Sequence, residues 1–154
     1  MKTIQILLMI PLLFILIGMG GCEDENQKCN LLAIEGPIDN IVGKWKQVRV
    51  ERIPEEYSMT VDYSCNNIIY SFQEDGKLVV MSDKIEYIGH SIREYEYEFR
   101  KSPHGQINHS LIINGKQYPC TKNEDNTMNF DLEPDPGPLG VRAYRTVLYF
   151  IRIQ

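Results

Sequence analysis

Most of the signatures that announce a chemistry are missing from this chain. Its 154 residues hold one Trp, three His and four Cys, and no Cys-x-x-Cys, His-x-x-x-His or comparable pair spaces ligands for a metal. No Gly-x-Ser-x-Gly elbow, phosphate-cradling glycine loop or compact Cys/His arrangement occurs, so neither a hydrolase nucleophile nor a nucleotide site is announced. Positive charge is also scarce. Sixteen Lys and Arg face 21 Asp and Glu, a net charge of −5, whereas nucleic-acid phosphates demand a basic face. Heptads, internal repeats and sustained helical periodicity are absent. His90, His104 and His109 fall in or beside turn sequences and read as surface residues. These absences leave an acidic chain of single-domain length, for which no cofactor, no metal and no nucleic-acid partner is expected.

What is present begins with an uneven distribution of apolar residues. Lys2 precedes a nearly unbroken apolar run over residues 4–17, interrupted by Pro11 and followed by Gly18-Met19-Gly20-Gly21-Cys22. This is the pattern of a signal peptide. A spanning helix needs about 20 apolar residues, and no basic stop-transfer flank follows here. Met19-Gly20-Gly21-Cys22 resembles a bacterial lipobox, with Met19 where Leu is usual. The resemblance implies that residues 1–21 are removed and that Cys22 carries palmitate-type acyl chains. Each buried methylene contributes about 0.8 kcal/mol, so several chains hold a domain at a bilayer. Glu23-Asp24-Glu25-Asn26 reads as a solvated tether and also looks like the acidic export signal of surface lipoproteins in the Bacteroidetes. The expected partner at this end is therefore the outer membrane, reached through the lipid, with display on the cell surface as the further expectation.

Residues 22–40 are polar and Gly/Pro-containing, the composition of a flexible tether. From residue 41 to 154 the pattern is that of strands. Segments 43–51, 68–73, 77–82, 92–101, 110–114, 117–122, 127–132 and 143–153 alternate or are β-branched and aromatic. Glu74-Asp75-Gly76 and Asn114-Gly115 are short hairpin signals, the second a type I′ dipeptide, and Glu124-Asp125-Asn126 is another turn. Residues 134–138 are too proline-rich for a ladder. Only residues 54–62 leave room for a short helix. Eight short antiparallel strands fit an up-and-down β-barrel or a β-sandwich, and periodicity does not choose between them.

Gly43-Lys44-Trp45, opening the first strand with the only Trp, is similar to the Gly-x-Trp motif of lipocalins and other calycins. Arg152, near the end of the last strand, matches the place where those folds lay a basic side chain across that Trp. The resemblance spans residues 41–154 and implies an all-β, eight-stranded antiparallel barrel of lipocalin type. Gly43, Trp45 and Arg152 would close it, with a cation–π contact of roughly 0.5 to 2 kcal/mol.

With Cys22 lipidated, Cys29, Cys65 and Cys120 remain in an oxidising compartment, enough for one bridge. On the implied barrel, Cys120 lies toward the end where the tether enters, which ranks Cys29 with Cys120 first. Cys65 with Cys120 is the alternative, and the tether is also long enough for Cys29 to reach Cys65. Glu94, Glu96 and Glu98 alternate with Tyr95, Tyr97 and Phe99, so the acids read as the wet face of a strand and the rings as its dry face. Asp131, Glu133 and Asp135 are interrupted by Pro134 and Pro136, which spoils a calcium loop.

The expected function is that of a lipid-anchored, non-enzymatic binding protein. The leading expectation is a small apolar or amphipathic ligand in the barrel, lined by Tyr95, Tyr97 and Phe99. The alternative is a filled barrel that presents an apolar face of Val147, Tyr149 and Ile151 to another envelope protein. An enzyme is the third reading, because fold does not fix function.

Overall fold

In a computed structural model, the described residues are 29, 31–37, 40–54, 58–102, 108–132 and 144–154. Residues 1–21, Cys22, the acidic run 23–26, His104 and the loop carrying Glu133 and Asp135 lie outside them.

Among the described residues nine strands follow one another: β1 (Gly43–Pro54), β2 (Met59–Asp62), β3 (Ile69–Phe72), β4 (Lys77–Met81), β5 (Glu94–Arg100), β6 (Asn108–Ile113), β7 (Lys116–Lys122), β8 (Thr127–Asp131) and β9 (Tyr144–Arg152). From β3 onward each strand pairs antiparallel with the next, and β9 returns to β1 from Trp45 opposite Arg152 to Pro54 opposite Tyr144. The result is a closed eight-stranded up-and-down barrel with one additional short strand, rather than a sandwich. Closure leaves the main ladder no free edge.

The additional strand replaces the short helix expected within residues 54–62. Met59–Asp62 pairs with Arg52–Arg49 of β1, while Ile69–Phe72 pairs with Lys46–Gly43. Since β9 occupies the other edge of β1, β2 and β3 lie in tandem along one edge, separated by an excursion over residues 63–68. β-branched Thr60 and Val61 suit a strand, and one or two turns are too few to sustain a helix in water. A bulge in β1 between Gln47 and Arg49 sits opposite the excursion and lets its register restart.

The turn chemistry matches the sequence. Asn114 and Gly115 both have positive φ, 48° and 78°, as a type I′ hairpin requires. Alternation then sorts side chains in and out. Tyr70, Phe72, Leu78, Val80, Leu111, Ile113, Met128, Phe130, Leu148 and Phe150 are buried in one continuous core. Phe130 and Phe150 stack at 5.2 Å, and Tyr70 meets Phe150 edge-on at 4.8 Å. Such pairs add about 0.5–1.5 kcal/mol each beyond area burial.

The end where β1 begins is sealed by the residues of the Gly-x-Trp resemblance. Trp45 is fully buried, its indole N–H donates to the Ile41 carbonyl at 2.7 Å, and the Arg152 guanidinium lies 5.3 Å from its ring. Arg152 also donates to the Asn40 carbonyl at 3.3 Å and to the Val42 carbonyl. At Gly43, with φ of 128°, a Cβ would lie 2.3 Å from the Gln154 carbonyl oxygen. Only glycine fits that crossing.

Candidate functional site

Among the described residues, polar and aromatic groups come together at the barrel's interior mouth and in a groove on its outer wall.

At the mouth, residues 87–90 of the segment between β4 and β5 turn inward and are half-buried, while residues 83–86 and 91–93 stay exposed. His90, expected on the surface, is carried into the barrel. Its ring centroid lies 5.4 Å from Tyr118, 5.5 Å from Tyr95, and 5.9 Å from both Tyr70 and Phe130. These rings come from β7, β5, β3 and β8, so the imidazole sits near the barrel axis. Burial, joined by the positive charges of Lys116 and Arg93, pushes the imidazole from 6.5 to about 4. It is neutral at neutral pH. Burial likewise raises the Tyr70 and Tyr118 hydroxyls, so the cage is uncharged. The fully buried Gln47 donates to the Ile88 carbonyl at 2.7 Å, while its Oε1 has no partner.

The three rings proposed from sequence to line a ligand share the core side of β5, Tyr95 within the core and Tyr97 and Phe99 packed against it. Tyr95 is in the interior, its hydroxyl donating to the Ser91 carbonyl at 2.8 Å. Tyr97 packs on Phe72 at 4.9 Å, and Phe99 on His109 at 5.1 Å. Tyr97 and Phe99 border a cavity of about 290 Å³ shared with Ile41, Glu98 and Lys101. Glu94, Glu96 and Glu98 are exposed.

The disulfide joins Cys29 to Cys65, with Cα atoms 5.1 Å apart. This corrects both the pairing of Cys29 with Cys120 and that of Cys65 with Cys120. Cys120 follows Tyr118 on the inward phase of β7 and is buried, its thiol pushed up to about 12 by burial. Cys29 and residues 31–37 lie outside the wall, where a bridge to an inward thiol would have to pass through the sheet. Cys65 stands on the excursion between β2 and β3, which brings it to the strap.

That strap walls the second region. The Ile34 amide donates to the Arg152 carbonyl at 2.9 Å, and the Cys29 amide to Ser64 Oγ at 3.3 Å. Beneath it lies a groove of about 860 Å³ against β1, β8 and β9. Leu31 and Leu32 line one side, Leu32 being 89% exposed. Thr127, Asn129, Tyr149 and Ile151 line the other. They alternate with buried Met128, Phe130 and Phe150, so they face outward. The Arg49 guanidinium lies 4.1 Å over the Tyr149 ring, and the Tyr149 hydroxyl donates to Glu51 at 2.6 Å. Val147, the third residue of the expected partner face, is 4% exposed and does not reach the groove.

Sequence reasoning did not reach Tyr70, Gln47, Tyr118 or the strap. Tyr70 and Tyr118 share the inward phase of their strands with Phe72 and Cys120, a weak signal. His90 lies in a loop with no period to orient it; only the run Tyr87-Ile88 before Gly89-His90 hints at burial. Among the described residues, no group of three or more His, Cys, Asp or Glu stands where a metal could be held. No family model, curated protein or solved structure matches the chain.

Proposed function

We propose that the protein is a non-enzymatic binding protein of the bacterial outer membrane, of lipocalin-like type, anchored by lipid on Cys22, with a filled barrel as scaffold. Its binding surface is the strap groove, and the occupant is an amphipathic segment of another envelope protein. The observation that carries this reading is the contrast between the two regions. The barrel axis is occupied by the protein's own aromatic and apolar side chains, whereas the outer wall keeps an open groove of about 860 Å³. Leu31, Leu32 and Ile151 supply apolar surface, Tyr149 is an aromatic anchor of the kind that dominates interfaces, and Arg49, Asn123 and Asn129 form a polar rim.

The test is purification of the lipoprotein from detergent-solubilised envelopes beside a Tyr149→Asp variant. The expected result is a discrete co-purifying envelope protein that is lost in the variant, with far-UV circular dichroism unchanged. Identical companions in both preparations refute the assignment. Release of a Cys22→Ser variant into the soluble fraction tests the anchor, and protease treatment of whole cells tests surface display.

The small-ligand reading is favoured by one observation, the aromatic cage around His90, and requires residues 82–93 to move.

A further inference from the structure

Residues 82–93 close the barrel in an unusual manner. At the end of the segment, the Arg93 carbonyl accepts from the Val80 amide at 3.0 Å, continuing the β4–β5 ladder. Further in, the backbone is held by side chains. The Ile88 amide donates to the Tyr63 hydroxyl at 3.1 Å and the His90 amide to the Tyr70 hydroxyl at 2.9 Å. Gln47 and Tyr95 donate to the Ile88 and Ser91 carbonyls, and the Tyr87 hydroxyl donates to the His90 carbonyl within the segment. A segment seated on side chains leaves without unzipping a strand. Ile85 and Ile92 on it are 98% and 54% exposed, so little packing covers it from outside.

The imidazole is held weakly. Both ring nitrogens find only hydroxyls at 3.4 Å, Tyr70 for Nδ1 and Tyr118 for Nε2, at the outer limit of a useful hydrogen bond. The groups facing it are Tyr70 from β3, Tyr95 from β5, Tyr118 and Lys116 from β7, uncharged Phe130 from β8, and Arg93 of the segment itself. The charged ones are both cations. A proton on His90 therefore adds a desolvated positive charge opposed by two others. A second, independent feature marks the seat as a place for a ligand: Gln47 Oε1, fully buried and without a donor, points at Gly89, where a Cβ would lie 3.1 Å from it.

We propose that residues 82–93 are a displaceable plug, released when His90 is protonated. The seat beneath, formed by Tyr70, Tyr95, Tyr118, Phe130 and Gln47, is then a second binding site for a planar aromatic molecule bearing an N–H or O–H donor. A ring replacing the imidazole regains its edge-on contacts, and its donor satisfies Gln47 Oε1. This site is separate from the strap groove, and its test needs no envelope partner.

The experiment is amide hydrogen exchange read by mass spectrometry on the full mature chain, corrected for intrinsic rates, between pH 7 and about 4. Indole serves as the probe. Wild type is expected to exchange at least tenfold faster over residues 82–93 at the lower pH, with β1 and β9 still protected. Indole should bind at the low pH alone and shift Tyr70 and Tyr118 ring resonances. His90→Phe, which keeps a ring and cannot titrate, should abolish the acceleration. Gly89→Ala, whose Cβ would meet the Tyr70 hydroxyl at 2.8 Å, should open the segment already at pH 7. The proposal is overturned if His90→Phe responds to pH like wild type, or if the whole barrel loses protection together with the segment. It is equally overturned if Gly89→Ala leaves the segment closed, or if indole fails to bind the opened form.

Discussion

Replacing Arg152 by Met keeps a long stem over Trp45 but removes the charge and every donor. The guanidinium lies 5.3 Å from the indole and donates to the carbonyls of Asn40, at 3.3 Å, and Val42, with Arg152 only 5% exposed. A cation–π contact of this kind contributes about 1 kcal/mol. Charge-assisted hydrogen bonds contribute about 1.5–3 kcal/mol each, with the long one at the low end. Relief from burying the charge offsets part of the sum, so Arg152→Met should lower the unfolding free energy by about 3 kcal/mol. The strap is also affected, because Gly36 packs on the same side chain: a Cβ there would lie 2.3 Å from Nε. Urea unfolding followed by Trp45 fluorescence measures the loss, and an unchanged m-value keeps the comparison two-state. A variant within about 0.5 kcal/mol of wild type would refute the view that this residue seals the barrel, since that is the range of ordinary surface substitutions.

Other consequences follow from the cysteines. Cys29 and Cys65 are separated by 36 positions, and closing a loop of that size restricts the unfolded chain by about 4 kcal/mol. Cys65→Ser should therefore lower stability by about 2–4 kcal/mol in denaturant titration while far-UV circular dichroism stays that of the barrel; an unchanged midpoint counts against the bridge. Cys120, with its thiol pushed up to about 12 by burial, stays protonated and covered at neutral pH. An aromatic disulfide reagent should react with it only as fast as the barrel unfolds, and prompt reaction with native protein contradicts its inward placement.

The strands were legible because their signals are local, whereas the choice of a barrel over a sandwich rested on the resemblance carried by Gly43, Trp45 and Arg152. Asn114-Gly115 fixes a hairpin, Tyr70 and Phe72 alternate with half-buried Ile69 and Ser71, and Trp45 with Arg152 marks the two strands that must meet. The β2 strand escaped because its four residues carry no period of their own; pairing with Arg49–Arg52 makes them a strand. The disulfide escaped because the deciding fact is side-chain direction. Cys120 is inward, so the thiol nearest in a sketch of the barrel is the one a strap on the outside does not reach. His90 illustrates the same limit, since a loop residue takes its environment from whatever the loop covers. Tyr149 and Ile151 were legible as an outward apolar face, but the groove above them depends on the strap, whose path is set by Cys65 and the Arg152 carbonyl.

Site-specific photocrosslinking in intact cells tests the binding account most directly, with the crosslinker placed at position 151 in the groove and, as a control, at exposed position 96 on β5. One discrete envelope adduct is expected from position 151, none from position 96, and the adduct should be lost when Cys65→Ser frees the strap. The same adduct from both positions, or an adduct from position 151 that survives Cys65→Ser, would contradict the groove as the binding surface.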